Sequence, residues 1–431
     1  MLSKLSQVHY RLGRGLLARA VGRDFDLSRV RHVPKSLRLP LLRDGLDPVP
    51  ALAEVRATEP VSRLASFFGR TIWVTTGSEE ARALLSDPRS FSNNIRPLVG
   101  SVQATGVHAI GGLGFTDPPD HPRLRRILTP EFTVRRLERL RARIAEIVDQ
   151  QLQVVADAGP VVDLVQTFAF PIPFLVICEL LGLPDEDREE FHRIGNARFD
   201  ITQGGVGAFG AASESREFLL AATRKQRANP GDGLLGAIIT ELGEEIDDTT
   251  LSGLADGVFL GGYETTASML ALGALTLLQS PDGRVAVGEG EQAVADVVEE
   301  LLRYLSVVQV AFPRFARRDM EVYGKQIVAG DVVLFSLSGA NRDDRLSTTM
   351  DAFDPRRQGI PHLAFGHGFH RCVGAELARI ELRTAYPALM QRFPQMRLAV
   401  PPHSLRFHKL SIVYGVESLP VLPGPSSTEP A

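Results

Sequence analysis

The sequence predicts a mainly α-helical protein with a smaller β-rich portion, and three observations carry that expectation. Apolar residues recur at helical spacing over most of the stretch from about residue 120 to about residue 310. Alternating apolar residues, the pattern of half-buried strands, cluster around Thr71 to Thr76 and again from Glu321 to Ser336. No internal repeat and no long low-complexity linker divides the chain, so residues 36–422 read as a single domain.

Met1 to Arg23 is basic, has no acid before Asp24, and scatters Leu2, Leu5, Leu12, Leu16 and Leu17 at roughly helical spacing. It lacks the unbroken apolar run of a secretory signal. An organellar transit peptide shares this composition, but residues 1–35 are read as a helical extension packed on the body. Helices are expected over Phe132 to Leu152, Glu179 to Ile194, Phe218 to Ile239, Thr250 to Leu278 and Gln292 to Leu305. One more should begin just after Cys372, with Val373, Leu377, Ile380 and Leu389 on one side. The run from Glu321 to Ser336, broken by Gly324 and Gly330, reads as a hairpin sheet, and residues 423–431 have the composition of a disordered tail.

Two apolar segments could be mistaken for membrane spans. Phe168 to Leu183 is short and interrupted by Pro171 and Pro173. Gly257 to Leu278 is long enough but carries Glu264 and several hydroxyl residues where an unpaired carboxylate is costly in hydrocarbon. Both fit buried helices, and no transmembrane anchor is expected. With 44% hydrophobic and 23% charged residues, the chain has ample apolar material for a large core. A net charge of only -3 argues against nucleic acid as a partner. The two cysteines, Cys178 and Cys372, cannot build a disulfide scaffold, so a reducing, cytoplasmic setting is expected. Arginine outnumbers lysine, which points to a GC-rich bacterial source.

Cys178 lies in an apolar run and reads as a small buried hydrophobe, whereas Cys372 sits in Phe365-Gly-His-Gly-Phe-His-Arg-Cys-Val-Gly374. Gly366 and Gly368 suit a tight loop that turns amide N–H groups towards one sulfur. The following helix directs its N-terminal dipole at the same atom, and both features favour thiolate over thiol. A buried thiolate needs compensation, which a metal ion supplies. Residue types alone leave three further readings: a quiet core thiol, a zinc site from His362, His367, His370 and Cys372, and a nucleophilic Cys–His pair.

The segment resembles the haem-binding loop of the cytochrome P450 family, Phe-Gly-x-Gly-x-His-x-Cys-x-Gly, at every specified position. The resemblance implies that Cys372 is the axial ligand to iron, with Phe365 packed beside the sulfur. It also implies that amides around Gly368 and Gly374 tune the thiolate, and that His370 bonds a propionate of haem b. Gly261-Gly-Tyr-Glu-Thr-Thr266 is a poor helix interior, each glycine costing about 1 kcal/mol against alanine, and Thr can bond back to the preceding turn. A local opening of the helix is expected there. The segment is similar to the family's oxygen-binding kink, which makes Glu264 and Thr265 the acid–alcohol pair. By that resemblance Thr265 hydrogen-bonds dioxygen, and Glu264 relays protons for O–O cleavage. Gly261 stands where Ala is commoner, and Tyr263 replaces His or Phe at a place where it could alter the pocket or the proton path.

Glu300 and Arg303 share a helix face and match the family's Glu-x-x-Arg motif, which implies a buried ion pair bracing the cysteine loop. His121 and Arg125 share a face in Asp117-Pro-Pro-Asp-His-Pro-Arg-Leu-Arg-Arg126, and Arg314 precedes the hairpin. All three resemble propionate ligands. Ala340-Asn-Arg-Asp343 and Phe353-Asp-Pro-Arg356 resemble the meander region, with Asp344 where Pro is usual and Val307 likewise. The resemblance runs from about Asp87 to Phe393 and implies a fold with haem between the long central helix and the helix after the cysteine loop.

It further implies a monooxygenase that inserts one atom of O2 into a lipophilic small molecule. No flavin or dinucleotide fingerprint follows the haem loop, so electrons are expected from separate ferredoxin and ferredoxin reductase partners. These partners are expected to dock at Arg125, Arg126 or Arg371. Pocket residues are expected after Phe91, in Gly204 to Gly210, near Tyr263 and in Val308 to Phe312. Two alternatives remain at this level: a haem-thiolate peroxygenase or isomerase, and a non-catalytic haem-binding sensor or electron carrier.

Overall fold

The computed structural model describes residues 35–67, 69–94, 112–199 and 205–425. The expected N-terminal extension up to residue 34, most of the stretch after Phe91, and residues 426–431 of the tail lie outside them.

The β-rich portion begins with β1 (Arg43–Asp44) and β2 (Asp47–Pro48), then α1 (Pro50–Thr58), the antiparallel pair β3 (Val61–Phe67) and β4 (Arg70–Thr75), α2 (Ser78–Leu85) and β5 (Phe91–Ser92). The helical body comprises α3 (Asp120–Leu128), α4 (Val134–Asp157), α5 (Pro171–Leu181), α6 (Asp185–Phe199), α7 (Gly205–Ala228), α8 (Leu234–Leu242), α9 (Asp248–Gln279), α10 (Pro281–Ala286) and α11 (Glu291–Leu305). Strand β6 (Val162–Asp163) separates α4 from α5. The chain then returns to β structure in β7 (Val310–Ala316), β8 (Met320–Val322), β9 (Lys325–Ile327) and β10 (Val332–Ser336). After α12 (Leu337–Ala340) it forms α13 (Ala375–Arg392), β11 (Arg397–Leu398) and β12 (Pro420–Leu422).

Helix α4 shows why these segments fold as they do. Leu137, Ile144, Ile147, Val148, Leu152 and Val155 are buried on one face, three or four residues apart, and pack towards α5 and α13. The C-terminal half of α9 is buried on every side from Thr266 to Leu277, as expected for a helix through the centre of a large core. Asp247 caps its start, accepting from the Thr250 amide at 2.7 Å. No helix among the described residues is long and apolar enough to cross a membrane.

Three expectations are corrected. The helix read over Glu179 to Ile194 is two helices, because Gly182 takes a left-handed conformation (φ 77°) and terminates α5. Its amide and that of Leu183 both donate to the Cys178 carbonyl. The helix read over Phe218 to Ile239 likewise breaks, after Ala228, at Asn229-Pro-Gly-Asp-Gly233. The two breaks meet: a Cβ on Gly233 would lie 2.4 Å from the Gly182 Cα. The hairpin read over Glu321 to Ser336 ends at β9. Strand β10 instead joins a five-stranded sheet of order β3-β4-β10-β7-β5, parallel to β4 and antiparallel to β7.

Candidate active site

The cysteine loop is built by backbone geometry that its glycines permit. Gly366 and Gly368 both have φ 68°, the left-handed region. At Gly368 space is equally restrictive, since a Cβ would stand 2.7 Å from the Leu85 carbonyl oxygen at the end of α2. The Gly366 amide donates to Leu363 and the Arg371 amide to Gly368, closing two tight turns. The Cys372 amide donates to the Phe365 carbonyl at 2.9 Å, so the cysteine is clamped to the start of its own loop.

Burial raises the Cys372 thiol, while the Gly374 amide and the charges of Arg125, Arg371 and Arg379 oppose that rise. The residue nonetheless has accessible surface, unlike Cys178, which is buried in the core with its thiol pushed up to about 12 by desolvation. The charges gathered round Cys372 oppose the rise of its thiol without overcoming it, so a thiolate at this position needs a bound cation.

Mid-way along α9, Gly261 is exposed, and a Cβ there would meet nothing within 4 Å. Thr265, one turn later, donates its hydroxyl to the Gly261 carbonyl at 2.6 Å. The expected opening of the helix is absent as a break: α9 runs unbroken through both glycines, because this back-bond satisfies the hydroxyl inside the helical groove. Burial raises the Glu264 carboxyl to about 7. Tyr263 is fully buried against Phe259, Phe170 and Phe174, with its hydroxyl held neutral by burial.

A group of basic side chains lies beside the loop. The His121 and His370 rings meet at a tilt of 55°, with centroids 4.2 Å apart, and Arg314 is buried nearby. Burial and the neighbouring cations lower His121 to about 4 and His370 to about 3, and burial lowers Arg314 to about 10. Arg125 joins them, donating to the Arg371 carbonyl at 2.7 Å. Asp117, the carboxylate acting on His121 and Arg314, is held by Arg317, Ser92 and the Asn93 amide. Both ring nitrogens of His121 are buried without a hydrogen-bond partner among the described residues. Such a donor-rich, acid-poor group matches a ligand carrying carboxylates.

Glu300 and Arg303 form a fully buried bidentate pair at 2.6 and 2.8 Å. Arg303 also donates to the carbonyls of Asn341, Met350 and Ala352, and the Asn341 side chain accepts from the Leu363 amide at 2.6 Å. The pair therefore reaches the cysteine loop through Asn341. Sequence reasoning missed its third member, Arg357, which donates to Glu300 at 3.2 Å. Arg356, quoted in the motif, instead pairs with Glu289 at the surface. His362 bonds Glu299, and no three His, Cys, Asp or Glu side chains among the described residues converge as a metal site. Of the expected pocket segments, Phe312 is 48% exposed and meets Phe115 edge-on at 4.6 Å. Gly204 lies outside the described residues, and Gly205 to Gly210 belong to α7.

A profile of the cytochrome P450 family matches residues 292–406. The chain is 39% identical over 390 residues to cytochrome P450 FAS1 of Rhodococcoides fascians, covering 89% of this chain and 98% of that protein. It is 38% identical over 379 residues to a vitamin D3 dihydroxylase of Streptomyces griseolus, covering 86% of this chain and 92% of that one. Among solved structures it matches OxyC, a cytochrome P450 implicated in an oxidative C–C coupling reaction during vancomycin biosynthesis. That match has a TM-score of 0.82 and 37% identity, over 90% of this chain and 97% of that one.

Proposed function

Because the chain belongs to the cytochrome P450 family and is a haem monooxygenase, we propose that it inserts one oxygen atom from O2 into a lipophilic small molecule, by hydroxylation or epoxidation. The observation that carries this reading is the pairing of two features. One is an accessible sulfur with the Gly374 amide and the charges of Arg125, Arg371 and Arg379 around it; the other is an open stretch of α9 bearing an alcohol and an acid raised to about 7.

The residues fit haem b in kind. Cys372 would be the axial ligand, with Gly374 and the loop held by Phe365, Gly366 and Gly368 directing amide density at the sulfur. His121, Arg125, Arg314 and His370 would receive the propionates, one of which would accept from the protonated ring nitrogen of the neutral His121. Bound there, haem supplies the activation of O2.

The chain's own residues do the rest. Glu264, with its carboxyl near 7, holds a proton about half the time at neutral pH and can release it, as a general acid requires. Thr265 keeps acceptor sites on its hydroxyl while its proton is held by Gly261, so it can receive and pass on a hydrogen bond beside the open space. Phe312 and Phe115 present apolar surface that excludes water and favours a lipophilic substrate. Electrons are assigned to a separate ferredoxin and its reductase, and the setting to the bacterial cytoplasm, in line with the paucity of cysteines.

Replacing Cys372 with serine tests the assignment. The purified wild-type chain should take up haem and, once reduced, give the far-red-shifted carbon monoxide band of thiolate ligation, and Cys372→Ser should lose it. A variant that kept the band would sink the reading. Spectral shifts on adding lipophilic compounds, with turnover driven by ferredoxin rather than peroxide, separate a monooxygenase from a sensor or a peroxygenase.

A further inference from the structure

Adjacent carboxylates on α11 face different ways. Glu300 belongs to the buried pair with Arg303, whereas Glu299 reaches the cysteine side. There Arg379 of α13 grips it with two bonds, Nε at 2.6 Å and Nη2 at 2.8 Å. The same carboxylate lies 3.0 Å from His362 Nε2. His362 Nδ1 accepts from the Ala364 amide at 3.2 Å, which places the ring proton on Nε2, pointing at Glu299. The guanidinium of Arg379 also lies over the Phe365 ring, 4.7 Å from its centroid. Phe365 in turn accepts the Cys372 amide.

These contacts close a ring: Ala364, His362, Glu299, Arg379, Phe365. It holds the start of the loop and sets a guanidinium over Phe365, with its counter-ion on α11. Burial pushes Glu299 up, but the bonds from Arg379 and His362 outweigh it and hold the carboxyl down at about 2, so the cluster stays charged across physiological pH.

Resting on the haem-thiolate reading above, we propose that Glu299, His362 and Arg379 are positioning residues that set the one-electron reduction potential of the haem. Arg379 supplies a fixed positive charge that eases reduction, and Glu299 attenuates it. Reduction adds one electron at the iron, drawn from the ferredoxin-class donor, and so adds negative charge that a nearby cation stabilises.

The test is a mediator-coupled potentiometric titration of the full-length haem protein. Arg379→Gln should lower the reduction equilibrium about tenfold, equivalent to about 59 mV for one electron. Glu299→Gln should move it the opposite way, because Arg379 is then unbalanced. Arg379→Lys should stay closer to wild type than Arg379→Gln. Arg356→Gln, which removes a surface charge paired with Glu289, should leave the potential unchanged. Opposed shifts are the decisive outcome, since loss of packing alone moves both variants one way. Unchanged potentials, or shifts of the same sign, overturn the proposal. Should Arg379→Gln fail to take up haem, Glu299→Gln carries the test: an upward shift supports the idea and no shift overturns it. A wild-type protein without the thiolate carbon monoxide band would defeat the family reading instead, so the two failures are distinguishable.

Discussion

At the level of residues, the chemistry turns on side chains whose surroundings alter their ordinary behaviour. Glu264 is raised to about 7 by burial, so its protonated form is abundant below that pH and lost above it. Turnover limited by proton delivery should therefore fall as pH rises through about 7. Glu264→Gln should slow turnover about a hundredfold and erase that limb of the profile. The sign for stability follows from the same shift. The folded chain binds this proton more tightly than the unfolded chain, whose value is near the ordinary 4.5. The contribution is complete below about 4.5 and is lost as pH rises through about 7. Urea unfolding at several pH values should show that this dependence disappears in Glu264→Gln. Gly368 is constrained twice, by φ 68° and by the Leu85 carbonyl 2.7 Å from any added Cβ. Gly368→Ala should cost about 1–2 kcal/mol from the left-handed backbone alone. The steric clash adds to this, and both a lower Tm and a reduced haem-to-protein ratio should report it.

At the level of elements, α11 organises the cysteine side. Its apolar stripe of Val294, Val297, Val298, Leu301 and Leu302 faces the core, while Glu300 and Arg303 point into the meander. Arg303→Leu would leave Glu300 buried with only Arg357 and the Asp354 amide as partners. Breaking a buried pair from one side costs about 3–5 kcal/mol. Chemical denaturation should find a loss of that size, against less than about 0.5 kcal/mol for Arg356→Leu at the surface. A small effect at Arg303 would show that the carbonyls of Asn341, Met350 and Ala352 are held by other means.

Across the whole molecule, the net charge of -3 hides a local bias. Arg126 and Arg371 are exposed near the cysteine loop, and Arg125 is partly so. An acidic electron donor would be steered to this face, and steering of this kind weakens with salt. Arg126→Glu and Arg371→Glu should each slow reduction by ferredoxin and flatten its dependence on ionic strength, in stopped-flow traces at several salt concentrations. Rates and salt slopes equal to wild type would place the donor elsewhere.

The features that could be read from the chain were those set locally. The cysteine loop needs left-handed backbone at Gly366 and Gly368, and that need is written in residue type. Helices α4 and α11 show their apolar period directly, and Glu300 and Arg303 lie one turn apart on the same helix. Other features depend on which distant segments meet. That Arg357 rather than Arg356 completes the buried pair follows from how the meander folds over α11. Tyr263 faces the aromatic packing because of where α5 and α6 lie, and β10 leaves its hairpin because β4 and β7 offer it two edges. The ring through Glu299, His362 and Arg379 joins α11 to the two flanks of the cysteine loop, more than sixty residues later. Backbone preference acts over a few residues and is encoded there; burial and charge pairing act over space, and are settled only when the chain has closed on itself.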